Sequence, residues 1–196
     1  MTAAVGRDWY DRPSPSLARD LLGARLVHDG PDGRVGGRIV EVEAYRGPED
    51  LAAHSSRGRT ARNAVMFGPP GHLYVYLIYG LHHCLNVVAG PGDKPEAVLI
   101  RALEIDEGVP LARTRRGPRI ADHRLASGPG NVGQALGVDR SLNGADLLGG
   151  PVRVEPRQGR APRIVRGPRV GVGYAGAWAD RPLRYWIADD RHRSRP

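Results

Sequence analysis

Apolar positions in this chain come in short alternating runs, not in the long stripes that a helical repeat leaves. The clearest run is 73–79, Leu-Tyr-Val-Tyr-Leu-Ile-Tyr, whose branched and aromatic residues suit a strand. Gly80 and Leu81 then predict a turn, and 83–88 the returning strand of a hairpin. Further strands are predicted at 25–27, 38–45, 97–103, 152–154, 169–172 and 183–187, with turns at 29–33 and 89–93. Helical patterns are short. Ser14 is placed to cap a helix with Pro15 in its first turn, running through Leu21 and Leu22 and stopping near Gly23. A second helix carries Leu111 and Ala112, and a third runs over 129–136 and ends at Gly137. Residues 46–71 read as a long irregular loop. Strands that neighbour one another, with helices to the side, give an α+β class. No repeat or linker divides the chain, so 14–190 is read as one domain. The pattern leaves open whether the segment 1–13 is flexible, and 191–196 is a basic tail.

Composition narrows the partner. The 196 residues carry 29 Lys+Arg against 21 Asp+Glu, a net charge of +8, and Lys94 is the only lysine. That balance suits a polyanion such as nucleic acid, or simply a solvated arginine-rich surface. The single cysteine, Cys84, excludes an internal disulfide and points to a reducing, cytoplasmic location. The start lacks the apolar core of a signal peptide. The longest apolar stretch, 73–88, is interrupted by Gly80, His82, His83 and Asn86, so no membrane span is expected. His83 and Cys84 would face opposite sides of a strand, which argues against a metal site. A phosphate-binding P-loop and a GxSxG elbow are missing.

Three places could carry chemistry. In the strand 41–45, Glu41, Glu43 and Tyr45 share a face by alternation. Glu41 is read as solvated, and Glu43, beside an aromatic, as a candidate acid or base; a carboxylate that merely solvates a face remains the alternative. The segment 47–63 places His54 ahead of Arg57, Arg59 and Arg62, interleaved with Thr60 and other small polar residues. Such a mixture contacts phosphate oxygens, or forms a basic surface loop. In the hairpin, Tyr74, Tyr76 and Ile78 share one face, so Tyr76 can enter a pocket while Tyr79 projects from the tip as a wedge. Core packing of all three tyrosines is what the pattern alone favours.

Taken together, the blocks Glu41 to Tyr45, Gly47 to Asp50, Ala53 to Ser55, Arg62 to Phe67 and Gly71 to Gly80 resemble the alkylpurine (3-methyladenine) DNA glycosylase family, of the alkyladenine glycosylase type. So do Cys84 to Val87, Leu99 to Glu104, Ser127 to Pro129 and Arg169 to Gly173, in the family's order over roughly 17–187. The resemblance implies a single mixed domain around a curved antiparallel sheet, similar to the C-terminal domain of formyltransferases, with a protruding hairpin that enters the minor groove. It implies a monofunctional base-flipping hydrolase of base excision repair, a monomer acting on duplex DNA with damaged purines, without metal or cofactor. By motif position, Glu43 is implied as the base that activates water, with Arg101 positioning that water or a phosphate. Tyr45, His54 and Tyr76 would sandwich the flipped purine, and Asn86 would contact its edge and crowd the amine of guanine. Tyr79 would fill the gap in the duplex, with Leu81, Arg57, Arg59, Thr60 and Arg62 contacting DNA. The implied substrates are 3-methyladenine and 7-methylguanine, with hypoxanthine and etheno adducts as candidates. The scarcity of lysine agrees, since an amine nucleophile could come only from Lys94 or the chain terminus. A nucleic-acid binder without chemistry is the competing reading. His82, near the tip, departs from the aromatic often found there, as Tyr174 does after Gly173.

Overall fold

A computed structural model describes residues 5–90 and 94–194. Its elements run in chain order as α1 (Ser14–Leu21), β1 (Arg25–Gly30), β2 (Gly33–Tyr45), β3 (Leu73–Ile78), β4 (His82–Ala89) and β5 (Glu96–Glu107). They continue as α2 (Val109–Arg116), β6 (Ala126–Ser127), α3 (Pro129–Leu136), β7 (Val152–Glu155), β8 (Ile164–Gly167) and β9 (Arg184–Ile187). The strands form one open antiparallel sheet in the order β3-β4-β5-β2-β1-β7, with β6 on β5 and the β8–β9 pair joined to β2. The expected mixed α/β single domain with a large antiparallel sheet is therefore what forms.

β2 is the centre of this arrangement. Its first half pairs with β1 and its second half, over Glu41–Glu43, with β9, while β5 lies along its other side. Three irregularities interrupt the β2–β5 ladder, one at Gly36–Gly37 and two on either side of Glu41. Ile39 faces Leu103 and Glu41 faces Ala102, which leaves Val40 as an extra residue; Val42 then faces Ile100, which leaves Arg101 as the extra residue on β5. Bulges re-aim side chains. Here one of them sits at Arg101. Leu17 and Leu21 of α1 and Val132 and Leu136 of α3 join Leu26, Ile39, Leu85, Ile100 and Leu103 in the main core. Tyr10 is also fully buried there, and Arg7 pairs with Asp146 at 2.7 Å.

Several expectations need correction. Ser14 is not the cap of α1, which Pro13 precedes. Its N–H instead donates to the buried Glu96 at 2.6 Å and its hydroxyl to the Tyr45 carbonyl at 3.0 Å, so β5 and β2 satisfy what a local cap would have. Glu41 is not solvated but fully buried, because partners from three other segments neutralise it. Residues 169–172 are not a strand. The ladder ends at Gly167, before Pro168, and the Val170 N–H bonds to a side chain instead of a neighbouring strand. The strand expected at 38–45 begins earlier, at Gly33, and the loop 46–71 contains two short 3-10 turns, His54–Arg57 and Ala64–Phe67. Of the turn at 89–93, residues 91–93 lie outside the described residues, as do 195 and 196 of the basic tail. Among the described residues, no helix is long and apolar enough to cross a membrane.

The hairpin β3–β4 is braced by α3, whose Gly133 sits against β4 so closely that a Cβ there would run into the His83 carbonyl. Alanine would improve helix propensity by about 1 kcal/mol. Overpacking costs about 1–3 kcal/mol and outweighs it. Gly133→Ala is accordingly expected to lower the urea midpoint without changing the slope of the transition, as measured by chemical denaturation followed by circular dichroism.

Candidate active site

A cavity of about 420 Å³ opens between the hairpin, the end of β2 and the segment 170–174. Glu43, Tyr45, His54, Arg62, Tyr76, Tyr79, Asn86 and Arg101 all border it, so most of the residues singled out in the sequence meet in one place. Arg57 and Thr60 border a neighbouring cleft of about 350 Å³ that shares His54, Arg62 and Tyr74 with the first. Arg59 borders neither and is exposed. Leu81 stands at the hairpin tip, 77% exposed, beside a groove with His82 and His83.

Glu43 forms part of the cavity wall while its side chain has no exposed surface. Its Oε2 accepts the Tyr45 hydroxyl at 2.9 Å, its Oε1 accepts the Val170 N–H at 2.8 Å, and an Arg101 nitrogen lies 3.3 Å from Oε1. Burial, and secondarily the neighbouring Glu43 charge, push the Tyr45 phenol well above its ordinary pKa, so it stays protonated and donates. Arg101 is oriented from behind. Its Nε donates to Glu41 at 3.0 Å and a terminal nitrogen donates to the Ser194 hydroxyl at 3.3 Å. Glu41 also accepts from Arg184 at 2.7 Å and from the Ser194 N–H at 2.6 Å. Two carboxylates and two guanidiniums thus offset one another, as charges buried this deeply require.

The opposite wall is aromatic. The His54 and Tyr76 rings meet at 4.6 Å between centroids with planes at 66°, and Tyr74 lies 5.4 Å from Tyr76. The Tyr74 hydroxyl is 2.8 Å from His54 Nδ1. Burial pushes the Tyr74 phenol up to about 12. His54 opens onto the cleft, yet the protein packed around its ring, and then the Arg62 charge, hold its pKa below 6.5. The neutral ring is thereby favoured, and its Nδ1 pairs with the Tyr74 hydroxyl. Asn63 fixes the backbone of this segment by donating to the carbonyls of His54 and Gly58. Asn86, nearly buried, lies across from Tyr74 in the hairpin ladder and donates its amide N–H to the Tyr74 carbonyl.

Residues that sequence reasoning passed over complete the site, Tyr74 on the wall itself and the others behind it. Tyr74 shared the face of Tyr76 in the alternation, which was a usable signal. Asp50 and Arg169, a fully buried ion pair at 2.5 and 2.8 Å, and Ser194 had no local signal, since each acts on a residue far away in the chain.

Comparison with known proteins decides what carries this site. The sequence model of the family described as methylpurine-DNA glycosylase matches residues 8–191. The chain belongs to the methylpurine-DNA glycosylase family. It is 50% identical over 188 residues to a protein of Streptomyces avermitilis, covering 94% of this chain and 87% of that one. A protein of Methanocella arvoryzae is 51% identical over 181 residues, covering 92% and 90%. One from Methanoculleus marisnigri is 50% identical over 192 residues, covering 95% and 96%. All three bear the name "Putative 3-methyladenine DNA glycosylase". Membership makes the chain a methylpurine-DNA glycosylase, a hydrolase of DNA repair whose substrate is DNA. Because Arg62 is one of the two causes that lower the His54 pKa, Arg62→Gln is expected to move the His54 titration upward while leaving it below 6.5. The ring-proton shifts of His54, followed by NMR across pH 4–8, measure this.

Proposed function

We propose that this glycosylase flips an alkylated purine out of duplex DNA into the cavity and hydrolyses its N-glycosidic bond with water activated by Glu43. The observation that carries this reading is the buried Glu43 carboxylate, held by Tyr45, Val170 and Arg101 on the wall facing His54, Tyr74 and Tyr76. A base inside the stack cannot reach such a wall, so it must leave the duplex. The cavity volume falls within the usual range for small-ligand sites, about 300–1,000 Å³.

The chemistry follows from charge. N-alkylation makes purines such as 3-methyladenine and 7-methylguanine cationic, so the leaving base needs no proton. A cation over aromatic faces gains roughly 0.5–2 kcal/mol per contact, and Tyr45 and Tyr76 supply such faces. One carboxylate then takes the proton from water and stabilises the oxocarbenium-like sugar, with Arg101 orienting that water; the second carboxylate of ordinary glycoside hydrolysis is unnecessary. Asn86, its amide tied to Tyr74, presents a fixed group at the purine edge that crowds the exocyclic amine of guanine. Hypoxanthine and etheno adducts are neutral and lack the cationic advantage. Outside the cavity, Tyr79 is 86% exposed and held at φ 53°, a left-handed conformation that turns it out at the hairpin tip beside Leu81. A rigid apolar tip suits a wedge in the minor groove. Arg62 borders the cavity and Arg57 and Thr60 the neighbouring cleft, and with the exposed Arg59 they serve as phosphate contacts. A single chain carries every one of these groups, so the reaction needs no second copy.

Glu43→Gln is expected to abolish release of 7-methylguanine from duplex DNA while binding of the lesion duplex persists; undiminished turnover would refute Glu43 as the base. Retardation of DNA by the unmodified protein with no base released would support a binder without chemistry. Tyr79→Ala is expected to weaken binding to lesion duplex far more than binding to the free base, in parallel titrations. Affinity for duplex should fall steeply with salt as phosphate contacts release counterions.

A further inference from the structure

The Asp50–Arg169 ion pair touches neither the cavity nor solvent, and both side chains are fully buried. Burying two charges costs several kcal/mol per ion, and an apolar pair of equal volume commonly holds a fold as well or better. What an ion pair adds is direction, because a guanidinium fork and a carboxylate fix each other's orientation. The contacts of this pair lead to the groups around Glu43. Arg169 donates to the Ala44 carbonyl at 3.0 Å, between Glu43 and Tyr45 on β2, and its guanidinium lies 4.7 Å from the Tyr45 ring centroid. The next residue, Val170, donates its N–H to Glu43. Asp50 accepts the N–H groups of Arg46 at 3.0 Å and Ala52 at 3.1 Å, and the Asp50 carbonyl accepts that of Ala53. That turn leads directly into His54.

We propose that Asp50 and Arg169 are positioning residues for base excision, setting the Val170 N–H and the Tyr45 hydroxyl that hold Glu43 and carrying His54 on the same anchor. The proposal rests on the reading of Glu43 as the base. Two of the three groups that hold Glu43 depend on Arg169, one by covalent neighbourhood and one by ring contact. A small displacement of its guanidinium therefore moves both. The Arg101 side of Glu43, set by Glu41 and Ser194, stays in place. The pair accordingly governs how well the carboxylate is aimed and leaves the lining of the cavity largely intact.

The test compares Asp50→Asn, Arg169→Lys and Glu43→Gln on one duplex containing 7-methylguanine. Asp50→Asn keeps an acceptor for one of the two backbone N–H groups and loses the charge; Arg169→Lys keeps the charge and loses the fork. Single-turnover excision is expected to fall about 10- to 100-fold in Asp50→Asn, the scale of misaimed catalytic groups, and less in Arg169→Lys. Affinity for the lesion duplex is expected to stay within about threefold, so that loss falls on the chemical step and not on binding. Full-rate excision by Glu43→Gln would overturn the reading of the base, whatever the other variants do. An inactive Glu43→Gln beside full-rate Asp50→Asn and Arg169→Lys would overturn the positioning proposal alone. So would an equal loss of affinity and rate, or loss of cooperative melting in both ion-pair variants, since either makes the pair a structural support.

Discussion

Glu41 and Glu43 stand two residues apart on the central strand with no exposed surface, and an ionised carboxylate without water must find its compensation in fixed groups. The penalty is several kcal/mol per ion, whereas an ordinary hydrogen bond returns only about 1 kcal/mol net, so a single partner cannot offset it. The compensation comes from far along the chain. Arg101 arrives on β5 at a bulge, Arg184 on β9, Val170 on the turn after β8, and Ser194 near the C-terminal end. Each has to be in place for the carboxylates to be tolerable. The path of the last third of the chain, from β8 back across β2, follows from that requirement.

The same arrangement explains what could be read in the sequence. The hairpin, β5 and α3 were legible because local signals fix them: branched and aromatic runs for the strands, and a proline start with a glycine stop for the helix. The co-location of Glu43, Tyr45, His54, Tyr76, Asn86 and Arg101 was legible through the joint order of short motifs, which reports a family and not a geometry. Burial of Glu41 was not legible. An alternating strand with glutamates reads as half solvated unless its partners are known, and Arg101 and Arg184 lie 60 and 143 residues away. Ser14 and the segment 169–172 failed for the same reason. A serine before a helical proline looks like a cap, and Val-Gly-Val looks like a strand, but Glu96 and Glu43 claim their backbone N–H groups across the fold.

Arginine usage takes on a second meaning in this setting. The excess of positive charge pointed outward, to a polyanion. Part of it is taken up within the fold: the buried Arg101, Arg169 and Arg184 serve the buried carboxylates, while the partly exposed Arg25, Arg38 and Arg153 lace β1, β2, β5 and β7 with ion pairs to Asp29, Glu104, Asp106 and Glu155. A fork with five fixed donors suits this work, and the compact ammonium of lysine does not. Lys94, the one lysine, pairs with Glu49 and Glu96 away from the cavity. Charge available to DNA is therefore concentrated on fewer residues than composition suggests. Arg57 and Arg59 make no ion pair among the described residues and stand exposed, Arg57 on the cleft shared with His54. The folded chain thus divides its arginines in two, one set paired with buried carboxylates and the other left exposed, where the proposed mechanism has it meet phosphates.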